Sequence, residues 1–257
     1  MDIKGGICVT LHDTTIRYGK IGIFTKHNEV STILGKICVD KFISFKEIVY
    51  APESYRLSKK IHAEHPEVIK LLSNGHPFDI TTNIFDKLTD YFFDVKPNDG
   101  KEYIQIYGRQ NNERVYKWIR RDYVDSHNNL DKYKVFLPKS NGNGEFGETL
   151  TSPIIGYPGQ GHTQTFISIG NFNTLEEAEA CQKYIKTKFA RLLLSVLKVT
   201  QHNPRETWSN VPMLDFTAQS DIDWKKSISD IDGQLYRKYG LSTSESIFIE
   251  SMIKPME

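Results

Sequence analysis

A capped amphipathic run in the second half of the chain constrains its fold most. Thr174-Leu-Glu-Glu177 has the spacing of a capping box, in which a hydroxyl and a carboxylate reciprocally satisfy backbone donors at a helix start. After it Ala178, Cys181, Ile185, Phe189, Leu192, Leu193, Val196 and Leu197 recur at helical spacing up to about Val199. The pattern predicts one helix of about seven turns. Its Cys181, Ile185, Phe189, Leu192 and Val196 stripe faces inward and makes it the spine of the domain.

Two more helices close the chain. From about Asp223 to Tyr239, Trp224, Ile228, Ile231, Leu235 and Tyr239 share one stripe, and Gly240 suits a left-handed C-cap. Ser242-Thr-Ser-Glu245 is a second capping box, opening a helix to about Ile253. Upstream, residues 3 to 50 carry β-rich runs (ICVTL, IGIF, ICVDKFISFKEIVY) that predict strands. Two short helices interrupted by Pro66 are expected from Pro52 to about Ser73, and one more turn from Asn83 to Leu88. YFFDVK and YIQIYG read as strands separated by the turn PNDG, VYKWIRRDYV as a basic strand or short helix, and KVFLP and TFISIG as strands. Residues 138 to 165 are rich in Gly and Pro and read as a loop region of functional size. The expected fold is mixed α/β: a body over residues 1–172, with the long helix and C-terminal helices of 173–257 packed on it.

With 257 residues, 39% hydrophobic and 25% charged, the chain can bury a core, which excludes disordered and low-complexity classes. No run approaches the ~18 apolar residues of a membrane span, and the N-terminus lacks a signal-peptide layout, so a cytoplasmic protein is expected. Cys8, Cys38 and Cys181 are too few and scattered for a disulfide framework and are expected as small buried side chains. The net charge is +1, so no global field advertises a nucleic-acid partner. Its distribution is uneven: Arg109, Arg114, Lys117, Arg120 and Arg121 face a single acid, Glu113, between Gly108 and Arg121. Lys132, Lys134 and Lys139 follow, and residues 215 to 232 are acidic.

Most catalytic motifs are missing. A glycine-rich S-adenosylmethionine turn and a [DNS]-P-P-[YF] motif are not found, since Asn203-Pro204 is followed by Arg205. Gly142, Gly144 and Gly147 spell G-x-G-x-x-G, but ETLTSP after them does not open a helix. His62-Ala-Glu-His65 is not H-E-x-x-H, and no G-x-S-x-G elbow is present. Asp79, Asp94 and Lys96 resemble the acid…acid-x-Lys arrangement of Mg²⁺-dependent nucleases, although Pro97 suits a strand ending in a turn. The basic segment interleaved with Tyr107, Tyr116, Trp118 and Tyr123 fits phosphate neutralisation better, with Arg109, Arg114, Lys117, Arg120 and Arg121 as the clamp. Lys139, Asn141 and Asn143 of the following loop, with His162 and Gln164, are the candidates for approaching base edges.

The opening DIKGGICVTLHD, the stretch YKVFLPKSNGNGEFGETLTSPIIGYPGQGHTQTFISIGNFNTLEEAEACQKYIKTKFARLLLSVLKVTQHN and the tail NVPMLDFT…SDIDWKKSISDIDGQLYRKYGLS resemble the C-terminal part of Eco57I-like restriction-modification proteins. In that family an N6-adenine methylase domain precedes a target-recognition domain, which is similar to type I specificity-subunit domains. The resemblance spans essentially the whole chain and is weakest over about 40 to 100. It implies a module that reads double-stranded DNA for methylase and nuclease domains, in the same polypeptide or in a partner subunit. Methylase motifs are missing ahead of IKGG, so the chain is expected to be a piece of a longer protein or a stand-alone recognition subunit. S-adenosylmethionine and Mg²⁺ are expected only for those other domains, and no cofactor for this chain. A metal-dependent endonuclease using Asp79, Asp94 and Lys96, and an assembly domain docking a methylase, are the alternatives.

Overall fold

Short runs of Val, Ile, Tyr and Phe form two sheets in the computed structural model, which describes residues 11–15, 23, 25–39, 42–142 and 144–256. In chain order the strands are β1 (Val49–Tyr50), β2 (Tyr103–Gln110), β3 (Glu113–Arg120), β4 (Tyr133–Pro138), β5 (Ile154–Gly156), β6 (Gln160–His162) and β7 (Phe166–Phe172). One sheet, ordered β1-β7-β4-β5, is antiparallel throughout. The other is ordered β3-β2-β6, with β6 parallel to β2. The helices are α1 (Asn28–Ile37), α2 (Lys59–Glu64), α3 (Val68–Leu71), α4 (Ile84–Lys87), α5 (Leu175–Lys186), α6 (Lys188–Ser195), α7 (Ile228–Lys238) and α8 (Thr243–Met252). The fold is thus mixed α/β, and among the described residues no helix is long and apolar enough to cross a membrane.

Several local expectations need correction. The β-rich reading of residues 3 to 50 meets a helix at α1, because Val30, Ile33, Leu34 and Ile37 recur at helical spacing and all four are buried. Apart from Leu11 and Ile23, ICVTL and IGIF lie outside the described residues, as does Cys8. YFFDVK is not a strand; Phe93 makes an isolated bridge to Trp118. The 138–165 stretch contains β5 and β6, α7 starts at Ile228 rather than near Asp223, and Cys38 is exposed.

The expected boundary at residue 172 is not where the cores divide. One core joins α1, the β1-β7-β4 face and α5 to α8 around Trp208, so it runs across that boundary. A second, from Tyr55 to Leu130, packs α2 to α4 on the Ile104, Ile106 and Ile119 face of β2 and β3. Tyr107, Phe136 and Phe166 form a small aromatic cluster between the two sheets.

The single long helix is also corrected: it breaks at Thr187, whose ψ of 148° turns the chain between α5 and α6. The Thr187 hydroxyl donates to the Tyr184 carbonyl (2.6 Å) and accepts from the Ala190 amide (3.1 Å). Asp232, reaching in from α7, accepts from the Lys188 (3.0 Å) and Phe189 (2.8 Å) amides, so three free donors of the new helix are satisfied. Arg191 closes the other side of the break, donating to the Lys186 carbonyl at the end of α5 (3.1 Å) and to that of Lys254 (2.5 Å). The apolar stripe survives: Cys181, Ile185, Phe189 and Leu192 are fully buried and Val196 is partly so.

Burial pushes the Asp232 carboxyl up to about 6, against the pull of its two amide donors. A group whose pKa is raised on folding stabilises the fold below its unfolded value, near 4, and loses that contribution as pH rises through about 6. The stability of the native chain relative to Asp232→Asn is therefore expected to fall by about 3 kcal/mol between pH 3.5 and 7, from a shift of about two units. Denaturant titrations of both proteins across that range check this, and a difference independent of pH would contradict it.

Candidate functional site

Asn111 and Asn112 connect β2 to β3 with φ of 50° and 65°. Two consecutive positive φ values define the type I′ hairpin turn, whose twist matches the strands and which Asn tolerates. The register pairs Gln110 with Glu113, Arg109 with Arg114 and Tyr107 with Tyr116. Two arginines directly opposite one another on a sheet repel, and among the described residues no carboxylate forms an ion pair with either. Arg109 donates to the Asn112 carbonyl (3.1 Å), and the Arg114 guanidinium lies 5.8 Å from the Phe166 ring centre.

Beside this pair the end of β4 meets the start of β7, where the Lys139 amide donates to the Thr165 carbonyl (3.0 Å). Together they enclose a groove of about 270 Å³, lined by Thr82, Arg109, Arg114, Pro138, Lys139, Ser140, Thr151, Thr165 and Phe166. Among the described residues three cations and four hydroxyls line it, and no acid does. The larger cavity of about 740 Å³ on the 215–225 stretch is lined by four acids, Glu176, Glu179, Asp221 and Asp223, against two lysines, Lys183 and Lys225, an acidic excess that disfavours phosphate.

The other predicted cations are committed elsewhere. Side chains alternate along a strand, so Lys117 lies on the face opposite Arg114; it is 9% exposed and paired with Asp94 at 2.5 Å. Arg120, six residues from Arg114 and so about 20 Å away along the strand, is bound by Glu64 (2.7 Å) and Asp122 (2.7 Å) and lies 4.1 Å from the Tyr123 ring centre. Arg121 holds Asp131 through two nitrogens, one at 2.9 Å. Lys134 is fully buried, donating to the carbonyls of Asn129, Leu130 and Tyr157, and burial pushes its pKa down to about 7. The structure therefore unites Arg109, Arg114 and Lys139 and leaves Lys117, Arg120 and Arg121 out of the groove.

The expected base-reading residues are displaced more severely. His162 is fully buried between Tyr55 and Phe136, and burial pushes its imidazole down to about 3. It is neutral there and sealed from any ligand. Asn141 is 7% exposed, its backbone held by the Gln201 carbonyl and the Lys198 ammonium and its amide near the Thr149 carbonyl. The loop is pinned inward because Lys198 is also ion-paired with Glu148. Gln164 is half-buried, its backbone N–H donating to the Ile80 carbonyl, and Asn143 lies outside the described residues.

The nuclease-like trio is not brought together. Asp79 is held by His76 (2.7 Å) and Arg56 (3.6 Å), Asp94 by Lys117, and Lys96 lies over Trp118. His62 and His65 diverge likewise, to the Pro77 carbonyl and the Tyr123 hydroxyl. Among the described residues no group of three or more His, Cys, Asp or Glu side chains is arranged to hold a metal.

Thr82, Thr151, Thr165 and Phe166 were not legible as site residues, since each looks like ordinary loop or core sequence until β4 and β7 are paired. Neither a scan against protein-family models nor a search of curated proteins returns a significant match to this chain.

Proposed function

We propose that this chain is a DNA target-recognition module of a restriction-modification enzyme, gripping duplex phosphates with Arg109, Arg114 and Lys139. The observation that carries the reading is the cross-strand Arg109–Arg114 pair, which faces Lys139 across a groove lined by no carboxylate among the described residues. Like charges held together cost stability in the free protein, and a bound phosphate turns that repulsion into charge-assisted hydrogen bonds. The Thr82, Thr151 and Thr165 hydroxyls add neutral donors to the same oxygens. The sequence resemblance supplies duplex DNA as the source of the phosphate. It also supplies the role: positioning N6-adenine methylase and nuclease domains, with their S-adenosylmethionine and Mg²⁺, on a target in the cytoplasm.

Fluorescence anisotropy with a labelled mixed-sequence duplex tests the reading. Binding is expected to weaken with salt, with about 2.7 of the log–log slope coming from three phosphate contacts. Binding that does not respond to salt, or no binding at all, would remove the proposal.

A further inference from the structure

We infer that the tip of the β2–β3 hairpin is the element that reads base edges, with the amides of Asn111 and Asn112 as the reading groups. This rests on the duplex-DNA reading above and names where specificity lies within it. β6 pairs with β2 only from Gln105 to Tyr107, so beyond Gly108 the hairpin continues as a two-stranded ribbon. The exposure changes at the same point: Ile106, Tyr107 and Gly108 are buried, whereas Arg109, Asn111, Asn112, Glu113 and Arg114 are exposed.

Two residues per strand beyond Gly108, closed by the Asn111-Asn112 turn, reach about 10 Å past it, which is comparable to the ~8.5 Å depth of a major groove. A ribbon of two strands about 4.8 Å apart also fits the groove's ~12 Å width. Side-chain alternation puts the arginine pair on the face toward the groove at Lys139, and Gln110 with Glu113 on the other. On that second face Gln110 donates to Asp86 (2.8 Å), bracing the ribbon on α4 and keeping its acids away from the phosphate side.

No protein group among the described residues takes up the Asn111 or Asn112 side-chain amide. An amide offers a donor and an acceptor together, the pair that adenine presents in the major groove. With the arginines fixing the backbone on either side, the tip enters the groove with these amides first.

Asn also suits a type I′ turn for conformational reasons alone, and Gly suits it as well or better. Asn111→Gly and Asn112→Gly therefore keep the turn while removing the amides. The full chain is first used to select a preferred sequence from a randomised duplex pool, and each variant is then titrated against that duplex and a scrambled one. Both variants are expected to keep the thermal midpoint, to lose about ten- to hundredfold in affinity on the selected duplex, and to bind the scrambled duplex as before. Unchanged affinity for the selected duplex would overturn the inference, since the asparagines would then serve the turn alone. Salt-dependent binding without any enriched sequence would also overturn it while leaving the phosphate groove standing. Failure to bind any duplex would remove the DNA reading itself.

Discussion

Phe189→Ala is expected to lower the unfolding free energy by about 3 to 5 kcal/mol, the range for removing a large aromatic from a closed core. Phe189 is fully buried in the first turn of α6, stacked on Tyr239 with ring centres 5.0 Å apart. Its own amide is one of the two held by Asp232. The cavity would therefore open where α6, the end of α7 and the capping carboxylate meet, and neighbours tied by that cap cannot collapse freely into it. The measurement is the denaturant midpoint with the slope unchanged. A loss under about 1 kcal/mol would mean that the break at Thr187 is not the mechanical centre of this layer.

The second large effect concerns the groove. Replacing Arg109, Arg114 and Lys139 together by alanine is expected to remove about 2.7 from the salt slope of duplex binding. Between 50 and 200 mM salt, that is the loss of about fortyfold in salt sensitivity. Relieving the Arg109–Arg114 repulsion should leave the free protein as stable as before or slightly more so. A binding loss accompanied by an unchanged or raised melting temperature separates phosphate contact from unfolding.

How far the sequence could be read depended on how local the cause was. The buried stripe of α5 and α6 was legible because Cys181, Ile185, Phe189 and Leu192 keep helical spacing across the break. The break was not, because its cap comes from Asp232, distant in sequence, and Lys186-Thr-Lys188 is compatible with an uninterrupted helix. The second capping box was legible in full, with both reciprocal bonds made by Ser242 and Glu245. The first is closed differently, as the Glu177 carboxylate accepts from Asn173 rather than Thr174.

The basic segment looked like one patch because charge was counted along the chain. Strand alternation sends Lys117 to the other face, and the acids that neutralise it and its neighbours come mostly from distant positions: Glu64, Asp94 and Asp131. Arg109 and Arg114 were legible as cations. Their pairing with Lys139 required the hairpin register and the β4–β7 junction. Asn141 is buried because Lys198 and Glu148, both ordinary surface types in sequence, draw its backbone inward.

Two double variants that remove the same charge separate a phosphate-binding groove from a general field: Arg109→Ala with Arg114→Ala, and Arg120→Ala with Arg121→Ala. Each takes two positive charges from a chain of net charge +1, so a general field effect would weaken duplex binding equally. Measured by anisotropy over a salt series, the first pair is expected to lower the slope by about 1.8 and the second to leave it unchanged. Equal slopes for the two variants, or a larger drop from Arg120 and Arg121, would contradict the assignment of phosphate binding to the groove.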